Sequence, residues 1–350
     1  MASDMMHRGE RLEELKQDMQ KASNSWCSVE NSSIKEGNRT TAQDAYGVYA
    51  ITDLRKGEIL LVDRTVAAVT SDEGSCQVCF RRLTANAVDL LCCNVKFCST
   101  ACAKEAKKSF HKAMCGKTFR FPGLSDLCLF RQTLNSLLLR CLAVIVQADI
   151  GSHPLYNSVV STLTANRAGP RPWRYHDDII YPIHMLQTLG IDVFADLRHD
   201  TWVIRTMYMR ILNNMDGEEE GNGVRTKLLN RLYSMLNHSC HPNLDWTHQY
   251  DRRSSVMIRA KRDIKKGEEL FISHVGEEGR FQPFAERQRR LITWFGADCG
   301  CARCKAERPG ADEAEFARYW RGHLSACSSE DRSQNMLFLA ATEQRRTVDW

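Results

Sequence analysis

Between Leu127 and Ile145 apolar residues return at every third or fourth position: Leu127, Phe130, Leu134, Leu137, Leu138, Cys141, Leu142 and Ile145. That spacing lines one face of an α-helix and predicts a helix whose apolar stripe is core. The run to Ile150 is the most apolar in the chain, yet Arg131, Gln132, Arg140 and Gln147 interrupt it. Charges and amides at that density predict a buried helix and not a membrane span. A second helical stretch, Asp200 to Asn213, carries Trp202, Ile204, Tyr208, Ile211 and Leu212. Met1 to Gln20 reads as a short charged helix without the apolar centre of a secretory signal. Ala311 to Trp350 reads as further helix, too short for a domain, and Asp216 to Gly223 (DGEEEGNG) as a polar, glycine-rich loop.

An internal repeat lies outside these helices. AITDLRKGEILL at Ala50 to Leu61 matches AKRDIKKGEELF at Ala260 to Phe271. Each copy sets a Lys-Gly-Glu turn before an apolar or alternating run, as where a turn feeds a β-strand. The copies stand too far apart for a solenoid. Two similar strand starts that bracket most of the chain predict one β-domain built from both ends.

Composition adds a broad class and one strong chemical lead. The 350 residues, 43% hydrophobic and 26% charged, suit one large globular domain or two ordinary ones. A formal net charge of +5 identifies no partner by itself. Fifteen cysteines without an export signal belong in a reducing compartment, where clustered thiols hold metal more often than they form disulfides. Cys27, Cys128, Cys141, Cys240 and Cys327 are scattered, and a lone cysteine reads as a small buried hydrophobe. The others form two groups. The first is Cys76-x-x-Cys79, Cys92-Cys93, Cys98-x-x-x-Cys102 and His111-x-x-x-Cys115. Zinc takes four thiolate or imidazole ligands in a tetrahedron, so seven cysteines and one histidine fill two sites. The second group, Cys299-Gly-Cys301-Ala-Arg-Cys304, offers three ligands and needs a fourth, for which Cys240 is the candidate.

Cys240 lies in Leu236 to Asn243, LNHSCHPN, which resembles the signature of SET-domain lysine methyltransferases. Cys299, Cys301 and Cys304 are similar to the post-SET cysteines of that family. The likeness extends to Gly47-Val48-Tyr49-Ala50 and to Gly267 to Ser273, GEELFIS. The cysteine-rich segment resembles a MYND zinc finger, whose ligand order ends as Cys98, Cys102, His111 and Cys115 do here. From Cys27 to Lys305 the chain therefore resembles the SET and MYND family.

The resemblance implies an α+β fold: a SET β-fold built from both ends of the chain, with an inserted MYND zinc module, a helical insert and a post-SET zinc site. The boundaries it suggests are an N-terminal helix 1–26, the first SET part 27–70, the zinc insert 71–116, the helical insert 117–225, the second SET part 226–280, the post-SET segment 281–306 and a helical tail 307–350. Three structural zinc ions follow. Cys76, Cys79, Cys98 and Cys102 would hold one, and Cys240, Cys299, Cys301 and Cys304 another. His111 and Cys115 would complete theirs with two of Asp89, Cys92 and Cys93, since the family has Cys-x-x-Cys where this chain has adjacent cysteines. The resemblance also implies an S-adenosylmethionine site at Gly47, Tyr49, Asn213 or Asn214, Asn237 and His238, with Phe295 over the adenine. Where the family ends the strand after Gly-Glu-Glu-Leu with tyrosine, this chain has His274, which stands as the catalytic candidate. A neutral imidazole there can accept a hydrogen bond or a proton. Two other departures are Ala45 in the usual Gly-x-Gly and Ala297 at a usually aromatic position.

Transfer of a methyl group to lysine requires the neutral amine, and a free lysine has a pKa of about 10.4, so the site must desolvate and align it. The function expected is S-adenosylmethionine-dependent methylation of lysines in histones or other proteins, in nucleus and cytoplasm, with no membrane. The alternative is a scaffold of degenerate SET fold, with or without cofactor, whose MYND module binds a proline-rich partner peptide. A zinc-dependent DNA reader fits less well, because the chain has no long Lys/Arg run and no helix-plus-zinc spacing of a major-groove reader. Catalytic zinc fits poorly too, because each expected site is closed by four protein ligands.

Overall fold

The computed structural model describes residues 8–33, 46–117, 129–148, 155, 158–161, 163, 173–219, 225–249, 254–295, 298–326 and 336. The chain begins with α1 (Arg8–Ala22), β1 (Cys27–Asn31), β2 (Tyr46–Ala50), β3 (Ile59–Thr70), β4 (Val88–Asp89), β5 (Lys96–Phe97) and α2 (Thr100–Ala106). It continues through α3 (Leu129–Ala148), α4 (Ser158–Ser161), α5 (Tyr181–Leu189), α6 (Thr201–Asn214), β6 (Met215–Glu219) and β7 (Arg225–Asn230). The rest is β8 (Asn237–His238), β9 (Leu244–Gln249), β10 (Ser255–Ala260), β11 (Glu269–Ile272), α7 (Gly276–Arg280), α8 (Phe284–Phe295), α9 (Ala302–Glu307) and α10 (Glu313–Ala326). Among the described residues the sheets are β1-β2-β11-β8, β6-β7-β3-β10-β9 and the pair β4-β5. No helix among them is long and apolar enough to cross a membrane.

The two long periodic stretches form helices as expected, α3 and α6. Asp200 starts α6 as its N-cap, its carboxylate accepting from the Thr201 amide. Of the loop expected over Asp216–Gly223, residues 216–219 are corrected, belonging to β6, paired antiparallel with β7 from Met215↔Leu229 to Glu219↔Arg225, while 220–223 lie outside the described residues. Composition misled here because β6 is an edge strand, where polar residues cost little, and because its glycine has a packing reason. A Cβ on Gly217 would lie 2.1 Å from the Thr226 carbonyl oxygen, so only glycine lets the two strands approach.

The chain divides into two compact units, one of residues 1–28, 59–235 and 246–259, the other of residues 29–58, 236–245 and 260–350. In the first, Leu134, Leu137, Leu138, Cys141, Leu142 and Ile145 of α3 share a buried cluster with Ala67, Val69 and Leu229 of the sheet. Cys76, Cys79, Phe97, Cys102 and Phe110 of the cysteine-rich segment belong to the same cluster. Arg140 fixes that attachment: its guanidinium lies 3.5 Å from the Phe110 ring centroid and donates to the Gln77 carbonyl at 3.3 Å. Asp63 of β3 holds the turn after β7, accepting from the Leu232 and Tyr233 amides at 2.8 Å each. Burial raises its carboxyl to about 6 against the pull of those two donors.

In the second unit the two repeat copies meet each other. Leu54 and Ile264 exchange backbone hydrogen bonds of 2.8 and 2.9 Å. The Gly57 amide bonds the Ala260 carbonyl at 2.8 Å, and the Gly267 amide bonds Ala50 at 2.7 Å. Asp263 accepts from the Lys56 amide and Asp53 from the Lys266 amide, at 2.8 and 2.9 Å. Glu58 and Glu268 cap the Arg55 and Lys265 amides at 2.8 and 2.7 Å. The copies thus form a local two-fold pair, after which β3 joins the five-stranded sheet and β11 the four-stranded one.

Gly57 and Gly267 both have φ of +87°, with open space where a Cβ would sit. Gly57→Ala and Gly267→Ala should therefore each lower stability by about 1 kcal/mol through backbone strain alone, and by similar amounts. Urea unfolding measures both; a clearly unequal pair would break the two-fold equivalence.

Candidate functional site

Glu269, the first residue of β11, is 6% exposed and gathers donors from three distant segments. Its carboxylate accepts from Ser32 Oγ at 2.7 Å, from the Ser33 amide at 2.8 Å and from the Ser33 hydroxyl. Asn237 Nδ2 donates to the same carboxylate at 2.9 Å and lies 2.9 Å from the Tyr46 carbonyl. The Tyr49 hydroxyl stands 2.9 Å from the Asn31 carbonyl and 3.1 Å from Glu269 Oε2. Burial and the neighbouring Glu269 charge push that phenol above its ordinary value.

Gly47 is a glycine because of this carboxylate. A Cβ there would lie 2.1 Å from Glu269 Oε1 and 3.2 Å from Asn237 Nδ2. Of the residues expected to hold cofactor, the structure therefore brings Gly47, Tyr49 and Asn237 together, with their side-chain positions turned to a protein carboxylate. The backbone is placed differently. Among the described residues β8 ends its sheet, bonded to β11 in parallel register, Phe271↔Asn237 and Ile272↔His238.

His238 is buried and bridges two features. Its Nδ1 accepts the His274 amide at 3.0 Å, which leaves the ring proton on Nε2, 3.3 Å from Cys240 Sγ. Burial, then the nearby His274, hold its pKa down to about 3, so the ring is neutral. His274 follows the end of β11, is exposed, and stacks at a tilt with its centroid 5.7 Å from that of His238. Asn213 and Asn214 close α6 in the first unit, where Asn214 Nδ2 is spent on the Arg210 carbonyl at 2.7 Å. Phe295 ends α8, and its side chain lies outside the described residues.

Three four-residue clusters have ligand atoms all within 4.8 Å of one another: Cys76, Cys79, Cys98 and Cys102; Cys92, Cys93, His111 and Cys115; Cys240, Cys299, Cys301 and Cys304. Tetrahedral zinc with Zn–S of about 2.3 Å needs sulfurs about 3.8 Å apart. Observed separations are 3.3 Å for Cys79–Cys98, 3.6 Å for Cys98–Cys102 and 3.4 Å for Cys240–Cys304, so the donor sets fit. In the second cluster His111 Nε2 lies 3.3 Å from Cys92 Sγ and 3.7 Å from Cys93 Sγ, and Asp89 turns instead to Lys96 at 3.8 Å. A π-helical turn, Lys107–His111, continues α2 and carries His111 inward. Burial, then Lys107 and Arg140, lower the His111 pKa, which favours the neutral form a metal needs.

Sequence reasoning missed Glu269, Asn243 and Arg287. Asn243 braces β11 with both ends of its amide, to the Glu269 carbonyl and from the Phe271 amide, at 2.8 Å each. A signal for Glu269 existed in the repeat: Glu58 and Glu268 cap alike, but Ile59 of the first copy becomes Glu269 in the second.

The family model for the SET domain matches residues 45–275. The chain is similar to histone-lysine N-methyltransferase SET5 of Yarrowia lipolytica, 28% identical over 301 residues, covering 77% of this chain and 63% of that protein. It is similar to human histone-lysine N-methyltransferase SMYD3, 26% identical over 284 residues, covering 78% of this chain and 62% of the other. SET5 of Meyerozyma guilliermondii is 44% identical over a shorter stretch of 75 residues, 21% of this chain and 15% of that one. The chain spans less than two thirds of the length of these relatives. With the matched region running from β2 past β11 and through LNHSCHPN, the chain belongs to the SET-domain family.

Proposed function

We propose that this chain is an S-adenosylmethionine-dependent protein-lysine N-methyltransferase. The observation that carries the reading is the SET match over residues 45–275, joined to a second unit in which Gly47, Asn237 and Glu269 interlock beside β8. Histone-lysine substrates named for the relatives support a histone or other protein lysine here, and a nuclear site of action. The donor sets support three structural zinc ions, two of them in a MYND-like module.

When bound, S-adenosylmethionine supplies a methyl group on a sulfonium cation. This chain's part is to position and to desolvate. Backbone groups of Asn237 and His238 would hold the cofactor. Glu269 keeps Ser32–Ser33, Tyr49 and Asn237 in fixed relation. His274, anchored at its amide by His238 yet exposed at its ring, can accept a hydrogen bond from a lysine amine and orient it. A protonated imidazole there would oppose the sulfonium, so the neutral ring is the working form.

Calorimetric titration with S-adenosylmethionine should give stoichiometric binding, and a mixed-histone assay should give methyl-lysine. His274→Tyr should raise the rate, because a phenol orients the amine without carrying positive charge. Loss of activity in that variant would instead make the imidazole the required group, and no transfer by either protein would favour a scaffold.

Metal analysis should return three zinc ions per chain. They should leave in order. The second cluster has Cys92 exposed and Cys93 and Cys115 half-buried, whereas the other two are mostly buried. A chelator should therefore strip one equivalent quickly and two slowly, and unfold the 76–115 segment as it does so. One zinc per chain would rule out the two-ion reading of that segment.

A further inference from the structure

Behind the Cys240, Cys299, Cys301 and Cys304 cluster lies a buried charge that the proposed reaction does not use. Arg287 of α8 has a side chain 0% exposed, and its Nη2 donates to Glu307 Oε2 at 2.5 Å and lies 3.6 Å from Cys304 Sγ. Its Nη1 donates to the Gln282 carbonyl at 2.6 Å. Glu307, 3% exposed, is divided, because its other oxygen accepts from Arg303 Nε at 2.8 Å. Arg303 also points toward the cluster, with Nη1 3.4 Å from the Cys240 carbonyl. One buried carboxylate thus serves two buried guanidiniums, and Arg287 turns a donor to a ligand sulfur.

Four thiolates around one divalent cation leave a net charge of about −2. Enclosing that charge away from water is costly unless cations and donors meet it. We propose that Arg287 is the counter-cation of this metal–thiolate centre: a positioning residue that offsets the centre's negative charge and directs an N–H at the Cys304 sulfur, while His238 Nε2 donates to the Cys240 sulfur on another side. The proposal rests on the zinc reading of this cluster and goes beyond it. At the first cluster buried Arg140 donates to the carbonyl of Gln77, which lies between Cys76 and Cys79 in the sequence. The second, with a histidine for one thiolate, carries less charge and faces water, which screens it.

A plain ion pair between Arg287 and Glu307 makes a different forecast, and the signs separate them. Zinc affinity is measured on the full-length chain by competition with a chromogenic chelator, alongside thermal melting. Arg287→Met should weaken the hold on one of the three ions by about tenfold or more, the range found for lost outer-shell partners. Arg287→Lys, which keeps the charge, should recover most of the loss. Glu307→Gln should hold that ion at least as tightly as the wild type, since it leaves more positive charge beside the thiolates. If Glu307→Gln loosens zinc as Arg287→Met does, or Arg287→Lys fails as badly as Met, the counter-cation role is overturned. Should Arg287→Met not fold, the Glu307→Gln and Arg287→Lys outcomes still decide. A wild-type chain with this cluster metal-free would overturn the zinc reading itself, and the arginine's role with it; full zinc with no change in any variant would overturn the role alone.

Discussion

The second unit depends on a buried carboxylate. Glu269 sits where β11 begins, and its two oxygens collect hydrogen bonds from residues 32–33 and from Asn237, with the Tyr49 hydroxyl alongside. Those segments lie about two hundred residues apart in sequence at the extremes, and their ends come together because an unmet buried charge is worth several kcal/mol. Donors to a charged acceptor are also the stronger kind of hydrogen bond, roughly twice a neutral pair. Gly47 follows as a consequence, since no side chain fits between its backbone and that carboxylate. The LNHSCHPN segment is fixed at two points by the same strand, through Asn237 to the Glu269 side chain and through Asn243 to its carbonyl.

Much of this architecture was legible in sequence where the controlling forces are local or repetitive. The 3.6-residue period of α3 survives because its stripe is buried in one cluster with the sheet and the cysteine-rich segment. The duplicated Lys-Gly-Glu turn was legible because each copy needs the same glycine at positive φ and the same acidic cap. Cysteine spacing disclosed which residues cluster, and the fourth member of the last cluster came from the motif around Cys240.

What was not legible is what burial decides. Nothing in GEEL says that one glutamate caps a turn in solvent while the next is enclosed; only the comparison with GEIL hints at it. Arg287 sits in a run, Glu286 to Arg290, that reads as a solvated helix face, yet Glu286, Arg289 and Arg290 form exposed ion pairs while Arg287 is fully enclosed. The reading of 216–219 failed for a related reason: polar, glycine-containing composition suits an edge strand as well as a loop. The cofactor positions were drawn from family likeness. At Gly47 and Asn237 the side-chain chemistry is directed at Glu269.

Metal chemistry and the candidate catalytic position meet in one ring. His238 cannot donate at Nδ1, because it accepts the His274 amide there, so its single proton faces the Cys240 sulfur. That direction suits a thiolate held by a metal and is less favourable toward a protonated thiol, which is a poor acceptor. The ring's burial, which keeps it neutral, makes the arrangement self-consistent: a charged imidazole would need both nitrogens to donate and would break the bond that anchors His274. The cysteine cluster is thus more than a clasp for the end of the chain. Through a neutral histidine it sets the backbone from which the exposed His274 ring projects, so the order of that ring depends on a site built from residues 240 and 299–304.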